Sequence, residues 1–387
     1  MTTRLITNIA ELTTNDPTLG DETSMGRLHQ AALVIDEAQV LWIGSATQAP
    51  ACDEVIDADG AAVVPGFVDS HTHLVFAGER SEEFEARMAG TAYDGGGIAR
   101  TVEATRNATR FELRSQTAKR ARELLHGGVT TVEIKSGYEL TLSGEERLLE
   151  IAAEFTDEVT FLGAHVVPHE FAHDRRAYVE LVIDQMLERC APHARWADVF
   201  CDLGAFGVDE SRQILLEARR MGLGLRVHGN QLGDSGGVAL AVELDAASVD
   251  HCTYVNDRDV EALGASNTVA TLLPGAEFCT RAPYPSGRRM IDAGVTVALA
   301  TDCNPGTSYV TSMAFVIALA VREMSMSVDE ALWAATRGGA MALRRSDVGH
   351  LGIGARSDVV VLDAPRAAHL AYRPGGGIVR QTLRSSR

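Results

Sequence analysis

Two histidines spaced by one residue at the end of an apolar strand form half of a metal site, and residues 63–74 of this chain have that form. Val63, Val64, Phe67 and Val68 are apolar and β-prone, so Val63–Val68 is predicted as a buried strand leading into His71-Thr72-His73. A strand sends residues i and i+2 to one face, so His71 and His73 project together. Neutral imidazole nitrogens are the commonest protein donors to zinc-like ions. Taken alone, such a pair is more often two satisfied polar residues at a strand end. The metal reading therefore needs partners from elsewhere in the chain.

Those partners must be positioned by other elements, and the chain supplies a repeating β–α rhythm to do it. Strands are predicted at Val129–Ile134, Val159–Leu162, Ala197–Cys201, Gly224–Val227, Ala247–Val249, Val269–Leu272 and Val295–Ala300, which with the opening strand makes eight. Helical patterns lie between most of them, at Thr101–Leu125, Gly144–Phe155, Arg175–Arg189, Asp209–Arg219 and Gly237–Leu244. Eight alternating units imply an α/β fold, a closed (β/α)8 TIM-like barrel with its chemistry at the carboxyl ends of the strands. A doubly wound open sheet is disfavoured because no glycine-rich dinucleotide fingerprint follows the first strand. Short strand-like pieces at both termini, such as Ala31–Ile35, Val40–Gly44 and Ser357–Asp363, are too small to fold alone. They are predicted to join as a small β-sandwich module from residues 1–61 and 346–387, around a barrel of residues 62–345.

With the barrel as a ruler, polar residues just past each strand share one bowl. His165 follows the third strand, His228 ends the fifth, His251 ends the sixth and Asp302 ends the eighth. Singly, each could be a packing residue; jointly, His71, His73, His228 and Asp302 offer three nitrogens and one oxygen, a set suited to one zinc or iron ion with an open position for water. His165 and His251 are left for other work at the rim. The fourth strand ends Phe200-Cys201-Asp202 without a lysine to carry a bridging carbamate, so a single metal is expected.

Composition bounds the remaining possibilities. The 387 residues are 45% hydrophobic and 23% charged, as in ordinary globular proteins, and no apolar run suits a membrane span. No secretory signal is visible at the N-terminus, so a cytoplasmic location is expected. The six cysteines are scattered without a Cys-X-X-Cys pair, giving neither a disulfide framework nor a structural zinc cluster. A formal charge of −18 argues against nucleic acid and anionic membranes as partners. The same charge means that an anionic substrate needs a local cation to hold it.

Beyond this point the residues resemble a known family. His71-Thr72-His73-Leu74-Val75-Phe76-Ala77-Gly78-Glu79-Arg80, Glu133-Ile134-Lys135-Ser136-Gly137-Tyr138, Thr160–His165 and Ala300–Thr307 together resemble the amidohydrolase superfamily and, within it, the imidazolonepropionases of histidine degradation. The resemblance covers nearly the whole chain. It implies hydrolysis of the cyclic amide of 4-imidazolone-5-propanoate to N-formimidoyl-L-glutamate, with one divalent ion, Zn2+ or iron (Fe2+/Fe3+), on His71, His73, His228 and Asp302. It also implies substrate contacts at Arg80, Tyr93, Tyr138, His165, Gln231, Asn304, Gly306 and Thr307, and catalytic roles for Asp302, His251 and Gln231. Arg80, seven residues past His73, suits a carboxylate clamp; its competing explanation is a salt bridge with Glu82 or Glu83. Asp302 is expected to relay a proton to the departing ring nitrogen and His251 to donate to the oxyanion. The expected partner is a small-molecule substrate, and the expected assembly is the common homodimer.

Two rival readings are separable. A ring deaminase of the same superfamily usually places an acid three residues after the fifth-strand histidine, where this chain has Gln231, and an amide cannot shuttle a proton. A non-catalytic barrel scaffold would be expected to lose a ligand, whereas all four are present.

Overall fold

The computed structural model describes residues 2–90 and 97–386. It contains two sheets. The first is built from both termini: β1 (Arg4–Thr13), β2 (Arg27–Ile35), β3 (Val40–Ser45), β4 (Glu54–Asp57) and β5 (Ala62–Pro65) are joined by the late strands β14 (Val359–Leu362) and β15 (Val379–Leu383). Its order is β15-β14-β5-β1-β2-β3, with β4 pairing β1 in parallel, a seven-stranded mixed sheet. Strands β5 and β14 are buried along their whole length, and Ile6, Ile9, Leu12, Leu33, Ile35, Val63, Val359 and Val361 form one apolar cluster.

The second sheet is parallel and has eight strands in sequential order: β6 (Phe67–Asp69), β7 (Val129–Lys135), β8 (Glu158–Ala164), β9 (Trp196–Cys201), β10 (Gly224–Gly229), β11 (Ser248–His251), β12 (Val269–Leu272) and β13 (Val297–Leu299). This is the expected α/β barrel, and the two termini form a separate sheet. The ring is drawn together just past the first and last strands, where Thr72 bridges Cys303 in parallel. There the Asp302 N–H donates to His71 O at 3.1 Å and the His73 N–H to Cys303 O at 3.0 Å. Closure thus occurs at the residues the sequence marks for chemistry.

Three elements differ from their sequence-based expectation. Val63–Val68 is not one strand: Ala62–Pro65 belongs to the terminal sheet and Phe67–Asp69 to the barrel. The switch occurs at Gly66, whose N–H bonds Asp358 O while the next N–H bonds Gly128 O, and a Cβ there would strike Thr130. The helix expected over 101–125 is two, Ile98–Asn107 and Arg110–His126. Thr109 ends the first and caps the second, exchanging bonds with Glu112 in a Thr-X-X-Glu box. The helix expected over 175–189 carries a wider π turn at Val182–Met186.

By contacts the chain divides into two compact units, Met1–Asp69 with Glu123–Thr131 and Ser312–Arg387, and Ser70–Arg122 with Val132–Thr311. Every candidate site residue the structure describes lies in the second unit.

Candidate metal centre

His71 and His73 follow β6, His228 lies near the end of β10, His251 ends β11 and Asp302 follows β13. Their side chains meet. His228 Nε2 is 3.3 Å from His73 Nε2, and Asp302 Oδ1 is 3.5 Å from His71 Nε2 and 3.7 Å from His73 Nε2. All are buried. An ion with ligands at about 2.1 Å in a tetrahedron separates its donor atoms by roughly 3.4 Å, so these spacings are those of a coordination shell. His251 approaches from the side, forming a second triplet with His71 and His228 in which donor atoms lie within 4.8 Å of one another.

The ring tautomers suit the same purpose. His71 Nδ1 is 2.8 Å from Asp250 Oδ2, and His228 Nδ1 is 2.9 Å from Asp198 Oδ2. A carboxylate on Nδ1 holds the proton there and leaves Nε2 as a lone-pair donor. Burial, reinforced by Lys135, drives the His71 pKa well below the usual imidazole value. Burial also lowers His73, with His71 beside it, and His251, with His228 beside it. Burial pushes Asp302 the other way, well above the usual carboxylate range, despite bonding from Asn304 and Thr307. Neutral imidazoles facing a buried carboxyl group make a set whose electrostatics a divalent ion would complete. The residues fit a metal.

Backbone geometry aims this cluster at some expense. Asn230, His251 and Asp302 hold positive φ of 55°, 81° and 53°. Such conformations cost non-glycine residues about 1–3 kcal/mol each and persist where the surroundings over-determine them.

Around the cluster is a pocket whose lining includes His73, Arg80, Tyr138, His165, Gln231, Asn304 and Thr307. His165 stacks on His73 at 5.4 Å and its Nδ1 donates to Gly137 O at 2.9 Å, leaving Nε2 free to accept. Burial, aided by His228, lowers its pKa to about 4. Tyr138 packs its ring beside both His73 and His165. Arg80 is buried and pairs with Glu83 at 2.6 Å, so the salt bridge and the pocket position hold together; Glu82 is not the partner. Gly97 and Gly306 flank the guanidinium, and a Cβ on either would overlap it. Asn304 builds the loop: its Oδ1 accepts from the Gly306 and Thr307 N–H groups at 2.8 Å, and its Nδ2 donates to Asp302 O at 2.7 Å. Tyr93 lies outside the described residues.

The amidohydrolase family pattern matches residues 62–387. The imidazolonepropionase of Mycolicibacterium smegmatis is 60% identical over 385 residues, spanning 100% of this chain and 97% of its own. The chain belongs to the imidazolonepropionase family. That of Streptomyces griseus subsp. griseus is 58% identical over 385 residues, covering 100% of this chain and 99% of the relative. Membership in this family makes the chain a hydrolase acting on carbon–nitrogen bonds, and its amidohydrolase group is metal-dependent. Among solved structures, a triazine hydrolase variant superposes with a TM-score of 0.75 at 18% identity, covering 99% of this chain and 93% of that one, which supports the fold alone.

For this imidazolonepropionase-family chain, sequence reasoning missed the residues behind the site. Glu133, Lys135, Asp198, Arg226 and Asp250 are all buried charges within barrel strands. Their signal was available, since a charge in the middle of an apolar strand has to find a partner. Asp202, noted only for not being lysine, accepts the N–H groups of Gln231 and Leu232 at 2.6 and 3.0 Å and so fixes that loop. Glu145 does the same for the Tyr138 loop, accepting from Gly137, Glu139 and Leu140.

Proposed function

We propose that the chain hydrolyses the cyclic amide of 4-imidazolone-5-propanoate to N-formimidoyl-L-glutamate, using one Zn2+ or iron ion held by His71, His73, His228 and Asp302. The observation that carries this reading is the meeting of those four residues, with His228 Nε2 3.3 Å from His73 Nε2 and Asp302 Oδ1 3.5 and 3.7 Å from His71 Nε2 and His73 Nε2, in a chain 60% identical to a named imidazolonepropionase. When bound, such an ion acidifies water to near neutrality and polarises a carbonyl.

The chain's own groups do the rest. Asp302 takes one proton of the attacking water and passes it to the departing ring nitrogen, so that the C–N bond breaks to leave a neutral amidine nitrogen and a carboxylic acid, which then releases the second proton of that water as it ionises. Supporting this, the Thr307 hydroxyl stands 3.3 Å from Asp302 Oδ2, apart from the Oδ1 that faces the histidines. His251, kept neutral by burial, donates a ring N–H to the carbonyl oxygen as it gains charge. Arg80 binds the propionate carboxylate, an interaction that survives in an acidic protein because the guanidinium is buried and held in place by Glu83. Tyr138 and His165 orient the ring from the side of His73, and Gln231, Asn304, Gly306, Thr307 and Tyr93 complete the substrate contacts.

The test follows the ultraviolet absorbance of freshly generated imidazolone propionate. Absorbance should fall on adding enzyme, stay constant after chelator treatment, and fall again once Zn2+ or Fe2+ is restored. Turnover that releases ammonia from a nucleobase instead would favour the deaminase reading. Among the described residues no helix is long and apolar enough to cross a membrane. The cytoplasmic location and homodimeric state belong to the same proposal, and light scattering on the purified chain checks the latter.

A further inference from the structure

The interior of a (β/α)8 barrel is ordinarily filled by layers of branched apolar side chains. Below the candidate metal ligands this barrel carries charge instead: Glu133 and Lys135 on β7, Asp198 on β9, Arg226 on β10 and Asp250 on β11, each at most 1% exposed. Burying five ionised groups is costly and seldom improves stability over apolar packing. Their connections suggest another reason for them.

Lys135 Nζ lies 2.8 Å from Glu133 Oε1 and 2.8 Å from Asp198 Oδ2. Each of those carboxylates reaches a different half of the metal centre. Glu133 Oε2 accepts the Thr72 N–H at 3.1 Å, and its backbone carbonyl accepts the Thr72 hydroxyl at 2.6 Å, which holds the residue between His71 and His73 from behind. Asp198 Oδ1 accepts the His228 N–H at 3.1 Å while its Oδ2 stands 2.9 Å from His228 Nδ1. One ammonium therefore couples the His-X-His pair to the β10 histidine. On the third arm Arg226 stands 3.3 Å from Asp250 Oδ2 and 2.7 Å from the Ser70 carbonyl that precedes His71, with Lys135 Nζ 3.8 Å from the same carboxylate oxygen.

We propose that Lys135 is a positioning residue of the metal centre: by bridging Glu133 and Asp198 it sets the separation between the His71–His73 pair and His228. This rests on the metal-centre reading above. Without the ammonium, two carboxylates would face each other in a medium of low dielectric, and either one takes up a proton or the strands part. Parting of the strands would carry Thr72, held by Glu133, away from His228, held by Asp198. Burial works to lower the Lys135 pKa, but Asp198 and Glu133 outweigh it and the group stays above the ordinary lysine value, in keeping with a permanent charge.

The experiment measures Co2+ binding to chelator-stripped protein by competition with a chromogenic chelator, together with the visible d–d spectrum of the loaded protein. Lys135→Met should weaken Co2+ binding about 10–100-fold and shift the d–d bands, the range seen when partners of metal ligands are lost. Glu158→Gln is the control, a buried carboxylate paired with Arg195 and Trp196; it should bind Co2+ within about two-fold of wild type. Wild-type affinity and an unchanged spectrum in Lys135→Met would overturn the proposal. Should Lys135→Met not fold, Glu133→Gln cuts the same bridge with a smaller charge change, and wild-type Co2+ affinity and spectrum there overturn it equally. A wild-type chain that takes up no Co2+ overturns the metal-centre reading itself and this inference with it.

Discussion

The terminal sheet and the barrel rim solve the burial problem in opposite ways. The sheet core is Ile, Leu and Val from both chain ends, with Ile6, Leu12, Leu33, Val63 and Val359 all fully buried. Apolar packing of this kind is non-directional and tolerates conservative change. At the rim, buried space is filled by His71, His73, His165, His228, His251 and Asp302, backed by the five charges of the strands below. Each of those groups depends on named partners at set distances, and loss of one leaves another unpaired in low dielectric. One region stores stability, the other geometry.

If the comparison holds, substitutions should sort by region. The largest effect is expected for His228→Ala, which removes one donor of the four: metal content by elemental analysis should fall to background and ring-opening turnover should drop at least about 10³-fold. Retained stoichiometric metal would break the four-donor reading. Next is His251→Ala, expected to keep metal content while lowering kcat about 10²–10³-fold; loss of metal there would move His251 into the coordination shell. Arg80→Ala should act mainly on KM, raising it about 10–100-fold for the carboxylate-bearing substrate, as loss of a charge-assisted hydrogen bond implies. An unchanged KM would leave Arg80 with only its structural pairing to Glu83.

In the terminal sheet the expectation reverses. Ile9→Ala should destabilise by about 2–5 kcal/mol through cavity formation, read as a lower denaturation midpoint, with metal content and kcat at 25 °C unchanged. A matching loss of metal would show that the two regions are not separable in this way. A pH-dependent expectation concerns Glu277, which burial pushes up to about 8 although the Thr253 hydroxyl bonds its Oε1 at 2.6 Å. In the folded chain it stays protonated to about pH 8, whereas its unfolded counterpart releases the proton near the ordinary glutamate value of 4.5. Its contribution is therefore fully present below that lower pH and is lost as pH rises through the folded value, at up to about 1.4 kcal/mol per pH unit. Glu277→Gln should flatten that part of the plot of stability against pH; an unaltered slope would assign the effect to other groups.

Much of this was legible in the residues. The β–α rhythm located the barrel strands, because buried parallel strands are apolar runs bounded by turns, and the strand ends then pointed to His71, His73, His165, His228, His251 and Asp302. The break at Thr109 was also legible, since Thr109 and Glu112 carry a capping box that the helical periodicity of 101–125 overrode. The switch between sheets at Gly66 was not, because Val63–Val68 is equally apolar on both sides of it and its partners are remote in sequence. Nor was the role of Gly306, which serves by what it lacks, leaving space for the Arg80 guanidinium.

By itself the sequence determined which residues could bind a metal and that a repeating barrel would gather them on one rim, because side-chain chemistry and strand periodicity are local properties. Only the tertiary structure decided which carboxylate orients which imidazole. Asp198 and Asp250 are equally acidic and equally buried, but strand register puts one against His228 and the other against His71, with Lys135 and Arg226 to hold them. Register and side-chain direction arise from packing the whole ring at once, and no single segment carries them.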